Sequence, residues 1–569
     1  MAAAPRLRAG QRAPGEPGLR IGGKLMSRNR SRRASSLAVA LLLVLAFACA
    51  PPPPTSKTQE APPAPPAAAG NAALPAPAQA PAAQSAGKPG GTLRIGGETP
   101  LDDLDPHTVR VGWHINVMQN VYSGLVRPGT DLLPQPDLAI RWEYRDPQTL
   151  EFTLRQGAKF HSGREVVAED VKYTFERILD PAFAASYASY VESIGSIDVP
   201  DKYRVIMRLK RPDTALLNNL SMPSMAIVPR EVVEANGGSL KATMVGSGPF
   251  MFKENIPNQH LVLVKNPDYF IPGQPLLDQL EFIPLPNETA RTNALRSGDV
   301  DYVEPAAPKD VPALRSDRSL VVTGGPNLSF VGISLNTSRK PFDDARVRQA
   351  MAYAISREEV AQKAFDGFAQ PLWGPALIPP YWAGNTDKYY SVDLAKARQL
   401  LADAGYPDGF KATLTTSTTT SYHTAFATVV QAELKKVGID VEISPLDGAV
   451  ATANWRKGDF EMYPIRWWGS DFIDPDGAFR PTFTCQGSYN NSRFCFEPFD
   501  ELILKGLTVS SVEDRKAAYQ SAMRVLAEQQ PWVFLVAFDR FQAMKAYVKG
   551  YTAFPNASQY AFREVWLDK

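Results

Sequence analysis

Apolar and polar positions alternate in several stretches of the first half of the chain. In TLEFTLR, Leu150, Phe152 and Leu154 are separated by polar residues, and in DKYRVIMRLKRP, Tyr203, Val205, Met207 and Leu209 alternate with Arg204, Arg208 and Lys210. A period of two lines one face of a strand with apolar side chains and leaves the other wet, so both stretches predict half-buried strands. GGTLRIG, residues 90–96, predicts a short apolar strand entered through glycines. A longer period interleaves with these. Asp343 and Asp344 can cap a helix in which Val347, Ala350, Met351, Ala354 and Ile355 share a face while Arg346, Arg348 and Arg357 lie largely elsewhere. A second helix is expected from Asp393 through Leu394, Ala397, Leu400 and Leu401 to Gly405. A third should run from about Thr424 to Val437, stop at Gly438 and give way to the strand IDVEI. Helices alternating with strands indicate an α/β architecture. At 569 residues the chain exceeds what one core organises, which predicts two or more lobes. The extended stretch GPNLSFVGISLNTSRK, residues 325–340, is the expected crossover between them.

The N-terminus breaks this pattern. From Met26, the better initiator, the chain carries Arg28, Arg30, Arg32 and Arg33, then an apolar run from Leu37 to Phe47, then Ala48 and Cys49. A charged start, a short apolar run and a small-residue cleavage site make residues 1–48 an export signal, and the run is too short to span a bilayer comfortably. Leu45-Ala46-Phe47-Ala48-Cys49 resembles a bacterial lipobox, which implies lipidation of Cys49, although Ala46 replaces the usual Leu and Phe47 is large for its slot. An ordinary signal peptide is the alternative. Most of the excess among the 50 prolines falls in the segment that follows, 49–89, whose Pro, Ala, Gln, Ser and Thr cannot bury apolar surface and predict an extended tether. Nine basic residues and one acidic residue precede Cys49, so the formal +2 of the whole chain becomes −6 beyond it. That sign disfavours nucleic acid as a partner.

Two further cysteines, Cys485 and Cys495, lie close together in TCQGSYNNSRFC. In an exported chain such a pair reads as a disulfide, with free thiols as the alternative, and without a nearby histidine it makes a poor metal site. The five histidines, at 107, 114, 161, 260 and 423, have no ligand spacing. Metalloprotease, nucleophile-elbow, phosphate-loop and dinucleotide fingerprints are absent, so neither a catalytic group nor a cofactor is expected.

A series of segments comes in one order: GGTLRIG at 90, NVYSGLV at 120, LRQGAKFHSGREVVAEDVKYTF at 154, VGSGPF at 245, NPDYF at 266, LRSGDVDYV at 295, PFDDARVRQAMAYAISR at 341, LLADAGYPDGF at 400, KKVGIDVEI at 435 and DFIDPD at 471. This order resembles the family 5 extracellular solute-binding proteins, the peptide and nickel binding group of ABC importers. The resemblance implies a two-lobe periplasmic-binding-protein fold, class II-like and of cluster C, with a hinge of two crossing strands. Lobe I would cover 90–331 with an extra subdomain at about 136–245, lobe II 332–535, and 536–569 would return to lobe I. It also implies a monomeric, extracytoplasmic protein that closes on its ligand and delivers it to ABC permease subunits in the membrane.

Asp471 is the leading binding residue. Trp468, Asp471, Asp474 and Pro475 match the W-x-x-D-x-x-[DE]-P context in which the family's peptide binders pair an aspartate with the ligand's ammonium group. A carboxylate in a closed cleft makes a charge-assisted bond that water would weaken. Asp474, before Pro475, reads as a turn cap. Of the adjacent Trp467 and Trp468, one should line the cleft and the other pack into the lobe, with Trp468 favoured for the cleft. Trp113 resembles a cleft-lining position, with a core or surface role as the alternative, and Trp373 is a weaker candidate. Arg466 is the nearby cation that could meet a ligand carboxylate. His161, in the family's RQGAKFHSG stretch, reads as structural. Peptide capture is the leading expectation. The same fold binding an oligosaccharide through stacked tryptophans is the alternative, and a hydrolase using Asp471, Asp474 and Asp476 is a distant third. Replacing the lipidation candidate, Cys49→Ser, should move the protein from the membrane to the soluble fraction on fractionation; retention in the membrane would refute the lipobox reading.

Overall fold

A computed structural model describes residues 87–109, 111–374, 389–418, 420, 422–467, 474–509, 511–556 and 558–569. The signal and tether calls, Cys49 included, and the site calls Trp468 and Asp471 lie outside the described residues.

Among the described residues, eleven strands form one mixed sheet. From one edge it runs Ile439–Leu446, Phe410–Ser417, Met462–Trp467, Leu320–Leu335, Trp532–Lys545, Tyr302–Ala306, Thr92–Gly97, Gln279–Pro284, His260–Lys265 and Phe250–Ile256, and Ala369–Pro371 pairs with Trp532–Lys545 off that path. The two long strands in the middle are antiparallel and bind the halves together. Residues 320–326 pair with 539–545 and residues 330–334 with 532–537, with register shifts between Pro326 and Phe330 and between Val331 and Gly332. Beyond the first shift, Phe330–Leu335 also pairs with Trp467–Met462. Before it, the partner strand pairs with Tyr302–Ala306. Each long strand therefore serves one half of the sheet with one end and the other half with the other. Residues 325–335 of the stretch expected as a crossover belong to this strand, which starts at Leu320. At Gly324, φ is +95° and a Cβ would lie 2.2 Å from the Arg540 carbonyl oxygen, so the close approach of the two strands requires glycine there.

The alternating stretches fold as expected into a second, four-stranded antiparallel sheet, ordered Ala139–Asp146, Thr149–Leu154, Arg204–Leu209, Ile194–Asp201. Leu150, Phe152, Leu154, Val205 and Met207 are buried in it, and helix Ala168–Leu179 packs on its strands. This sheet lies within the span expected for an extra subdomain.

Helix starts follow the capping logic. The Asp344 carboxylate accepts from the Arg346 N–H ahead of Ala345–Ala354, and that of Asp393 from the Lys396 N–H ahead of Leu394–Asp403. Helix Tyr422–Lys435 is followed by Gly438 at φ +91° and then by Ile439–Leu446. Arg348 and Arg357, expected away from the apolar face, are nonetheless 3% and 2% exposed, and Arg357 opens a separate helix, Arg357–Ala364. Arg348 donates to the carbonyls of Phe342, Asp343 and Gln529, and Arg357 to those of Ala352 and Leu372. Carbonyl oxygens replace the lost water around each guanidinium, while burial pulls both down to about 10.

Beside the long strands, Arg540 donates to Glu304 at 3.0 Å, with both side chains almost wholly buried. Glu304 also accepts from Tyr302 Oη, Gln542 Nε2 and Gln559 Nε2. The pair ties Trp532–Lys545 to Tyr302–Ala306. Glu304→Leu would leave the Arg540 guanidinium buried without its carboxylate, at a cost of about 3–5 kcal/mol. A clear fall in the thermal midpoint of ligand-free protein is expected, and an unchanged midpoint would rule out this tie as a structural element.

Candidate functional site

Strand Met462–Trp467 carries the candidate site at its end. Arg466 and Trp467 project from opposite faces of this strand, because successive side chains alternate. Trp467 is buried: it stacks on Phe330 with centroids 6.4 Å apart and meets Trp532 and Tyr489 edge-on. Of the adjacent tryptophans, Trp467 is thus packed into the protein.

On the other face the Arg466 guanidinium carbon is 5.8 Å from the ring centroids of both Tyr422 and Phe538. Two rings at this distance attract the cation through their π faces. Phe365 packs against both rings and fixes them. Tyr422 opens helix Tyr422–Lys435, just past the end of strand Phe410–Ser417, and Phe538 belongs to Trp532–Lys545. His423 lies behind Tyr422 and is edge-on to Tyr463. Its Nδ1 accepts the Ser417 N–H at 2.9 Å, which assigns the ring proton to Nε2. Burial, assisted by Arg466, pushes His423 down to about 4, so the imidazole is neutral near pH 7. Arg466 is itself lowered by burial, against the opposing pull of Glu98 and Tyr422. Glu98 directly follows Thr92–Gly97, in the other half of the sheet. Charges from both halves therefore act on one guanidinium.

Asp474 caps helix Pro475–Phe483, as expected: its Oδ1 accepts the Asp476 N–H at 2.9 Å and Arg515 Nη2 at 2.5 Å, and its Oδ2 accepts Asn218 Nδ2 at 2.9 Å. Asp476 pairs with Arg480 at 2.8 Å. Both carboxylates are thus engaged by arginines, which gives them structural roles. Trp113 is 3% exposed and packs edge-on to Phe282, with its ring where a Cβ on Gly97 would lie. It takes the core role. Trp373 is half-buried; its indole N–H donates to the Tyr390 carbonyl, and Arg357 lies over its ring. His161 bridges two glycines, Nδ1 accepting from the Gly246 N–H and Nε2 facing the Gly248 carbonyl. Cys485 and Cys495 are joined as a disulfide. Among the described residues no three or more His, Cys, Asp or Glu side chains are arranged to hold a metal ion, and no helix is long and apolar enough to cross a membrane. Tyr422, Phe538 and Glu98 were not singled out in the sequence. Tyr422 and Glu98 lie just past the ends of strands Phe410–Ser417 and Thr92–Gly97, whereas Phe538 lies within Trp532–Lys545, so no shared sequence signal marks them.

Residues 134–490 match the model of the bacterial extracellular solute-binding proteins, family 5. The chain belongs to this family. As a family 5 protein it is a solute-binding component of ABC transporters, and its relatives are binding proteins rather than enzymes. It is 27% identical over 463 residues to the glutathione-binding protein GsiB of Salmonella paratyphi A, covering 80% of this chain and 90% of the relative. It is 29% identical over 511 residues to the di/tripeptide-binding protein 2 of Pseudomonas aeruginosa, covering 84% and 95%. Among solved structures, DppA from Helicobacter pylori in complex with the peptide STSA superposes with a TM-score of 0.77 at 30% identity, covering 85% of this chain and 99% of that one. AgaA from A. tumefaciens in complex with agropinic acid gives 0.77 at 30%, covering 84% and 99%.

Burial lowers His107, His161 and His423 to about 4. The unfolded chain titrates these groups near 6.5, so it takes up protons that the folded protein refuses. Their contribution to stability is complete above about pH 6.5 and is lost as pH falls towards about 4, with a slope of roughly 1.4 kcal/mol per pH unit for each histidine. Urea midpoints measured at pH 7.5, 6 and 5 should fall in that order; a flat series would contradict the buried neutral state.

Proposed function

We propose that this solute-binding protein captures a short peptide between its lobes and hands it to an ABC permease. The observation that carries the reading is Arg466, a half-buried cation flanked by Tyr422 and Phe538, five residues before Asp471 in the sequence. In this reading Asp471 meets the ligand's ammonium group and Arg466 its carboxylate, while the extended backbone between them is gripped by strand-like hydrogen bonds. The names of the relatives support it, since they bind glutathione, di- and tripeptides or a bound peptide. Lobe boundaries near 331 and 535, lipidation at Cys49 and an extracytoplasmic monomer belong to the same proposal.

The likeness to AgaA with agropinic acid favours one second reading, a non-peptide solute that also bears a carboxylate. For the oligosaccharide alternative, Trp113 and Trp467 are buried in packed clusters and Trp373 is held by Tyr390 and Arg357, which leaves it resting on Trp468, outside the described residues.

Native mass spectrometry of gently purified protein tests the reading directly. A co-purified mass that fragments into amino acids supports peptide capture, and a hexose ladder overturns it. Asp471→Asn should leave the fold intact and weaken a free-amine peptide by roughly 2–5 kcal/mol in calorimetry. Unchanged affinity would remove Asp471 from the site.

A further inference from the structure

Strand register fixes where the ends of the main sheet's strands lie. Tyr302–Ala306 runs toward the register shift in the long strands, with Tyr302 opposite Met544 and Ala306 opposite Phe541, and Thr92–Gly97 and Gln279–Pro284 run parallel to it. In the other half Met462–Trp467 runs toward the same shift, from Met462 opposite Leu335 to Trp467 opposite Phe330, and Phe410–Ser417 and Ile439–Leu446 run parallel to it. Carboxyl ends of both sets of strands therefore point at the shift from opposite sides, and open α/β sheets bind their ligands outside such ends. Glu98, the first residue after Thr92–Gly97, stands on one side, and Arg466, the next to last residue of Met462–Trp467, stands on the other.

Glu98 is half-buried, and among the described residues it makes no hydrogen bond and no ion pair. Its charge still reaches three guanidiniums. Burial lowers Arg466 and Arg291, and Glu98 is the leading charge that opposes it in both; in Arg540 burial is outweighed by Glu304 first and Glu98 second. Each of these arginines is engaged elsewhere. Arg291 donates to the carbonyls of Leu285, Pro286 and Pro305, Arg540 donates to Glu304, and Arg466 is flanked by the rings of Tyr422 and Phe538. The Glu98 oxygens are acceptors only, and among the described residues no protein group donates to them, so their capacity is open to what occupies the space between the strand ends.

We infer that Glu98 determines which charge the captured solute carries on that side: its carboxylate receives a cationic group, a basic side chain where the solute is a peptide, and turns away solutes that are anionic there. A fixed anion facing a fixed cation sorts solutes by where their charges lie, because a like charge set against either one costs affinity and an opposite charge gains a charge-assisted bond. The inference rests on the capture reading only for the solute being a peptide; the charge preference holds for any small solute.

Calorimetry with trialanine derivatives carrying lysine or glutamate at the second or third position tests this on the purified protein. The parent should bind the best lysine peptide about tenfold more tightly than the matching glutamate peptide, the ratio expected from one hydrogen bond to a charged group. Glu98→Gln, which keeps the size and removes the charge, should abolish that ratio, and Glu98→Asp, which keeps the charge, should retain a preference for lysine. An undiminished ratio in folded Glu98→Gln would overturn the inference and leave peptide capture standing, as would a parent that binds the lysine and glutamate peptides equally. If no peptide binds the parent, peptide capture falls, and thermal shifts with lysine, putrescine, glutamate and succinate judge Glu98 instead. Stabilisation of the parent by the solutes that carry an added cation, lost in Glu98→Gln, would then support it; a response indifferent to charge, or none, would overturn it.

Discussion

The antiparallel pairing of Leu320–Leu335 with Trp532–Lys545 is the constraint on which the rest of the molecule depends. Backbone hydrogen bonds run along almost the whole of both strands, and the register shift between Pro326 and Phe330 falls where the pairing partners on the outer side change from one half of the sheet to the other. A ladder cannot slip by one residue without turning every side chain to the wrong face. The alternation at Arg466 and Trp467 is therefore fixed by the pairing of Phe330 with Trp467 and Val331 with Arg466. The same ladder delivers Phe538 to the guanidinium and Arg540 to Glu304. A ring packed on Arg466 and a buried ion pair thus sit two residues apart on one strand.

That arrangement separates stability from recognition. On the stability side, Glu304 gathers Arg540, Tyr302, Gln542 and Gln559 into one buried network, so the charge is matched by donors on every side. On the recognition side, Arg466 is lowered by burial while Glu98, Tyr422 and Glu288 oppose that shift, with Arg540 adding to it. Fixed charges from both halves converge on it, and bringing the halves together excludes water and strengthens each interaction.

Much of the fold was legible because its signals are local. The strands at 92, 149 and 204 and the caps at Asp344 and Asp393 follow from period and capping chemistry, which need only near neighbours. The burial of Arg348 and Arg357 was not legible because their acceptors are backbone carbonyls, which carry no side-chain signature, and four of the five, on Phe342, Asp343, Gln529 and Leu372, lie outside the helices that carry the arginines. The site was legible in part. Arg466 as a nearby cation and the capping role of Asp474 could be read directly, whereas strand Met462–Trp467 was not, and Tyr422, Phe538 and Glu98 come from three distant segments whose convergence is a property of the sheet order. Trp113 could not be assigned from sequence, because an aromatic side chain suits a core and a cleft equally until its neighbours, here Gly97 and Phe282, are known.

The placement of the tryptophans bears directly on ligand chemistry. Sugar recognition by stacking needs exposed ring faces, and Trp113 and Trp467 give theirs to Phe282, Phe330 and Trp532. The aromatic surface beside Arg466 is instead made of Tyr422 and Phe538, both packed against Phe365 and sharing the Arg466 guanidinium, with His423 edge-on to Tyr422. Rings that flank an arginine limit the directions from which an anion can approach it and keep its guanidinium plane in place, which favours a planar, two-oxygen partner over a diffuse charge. The neutral His423 adds no second positive charge. Arg466, with Glu98, Glu288 and Arg540 all acting on it, is a cation in a mixed field, which supports the proposed reading of a solute with one carboxylate over that of a polyanion.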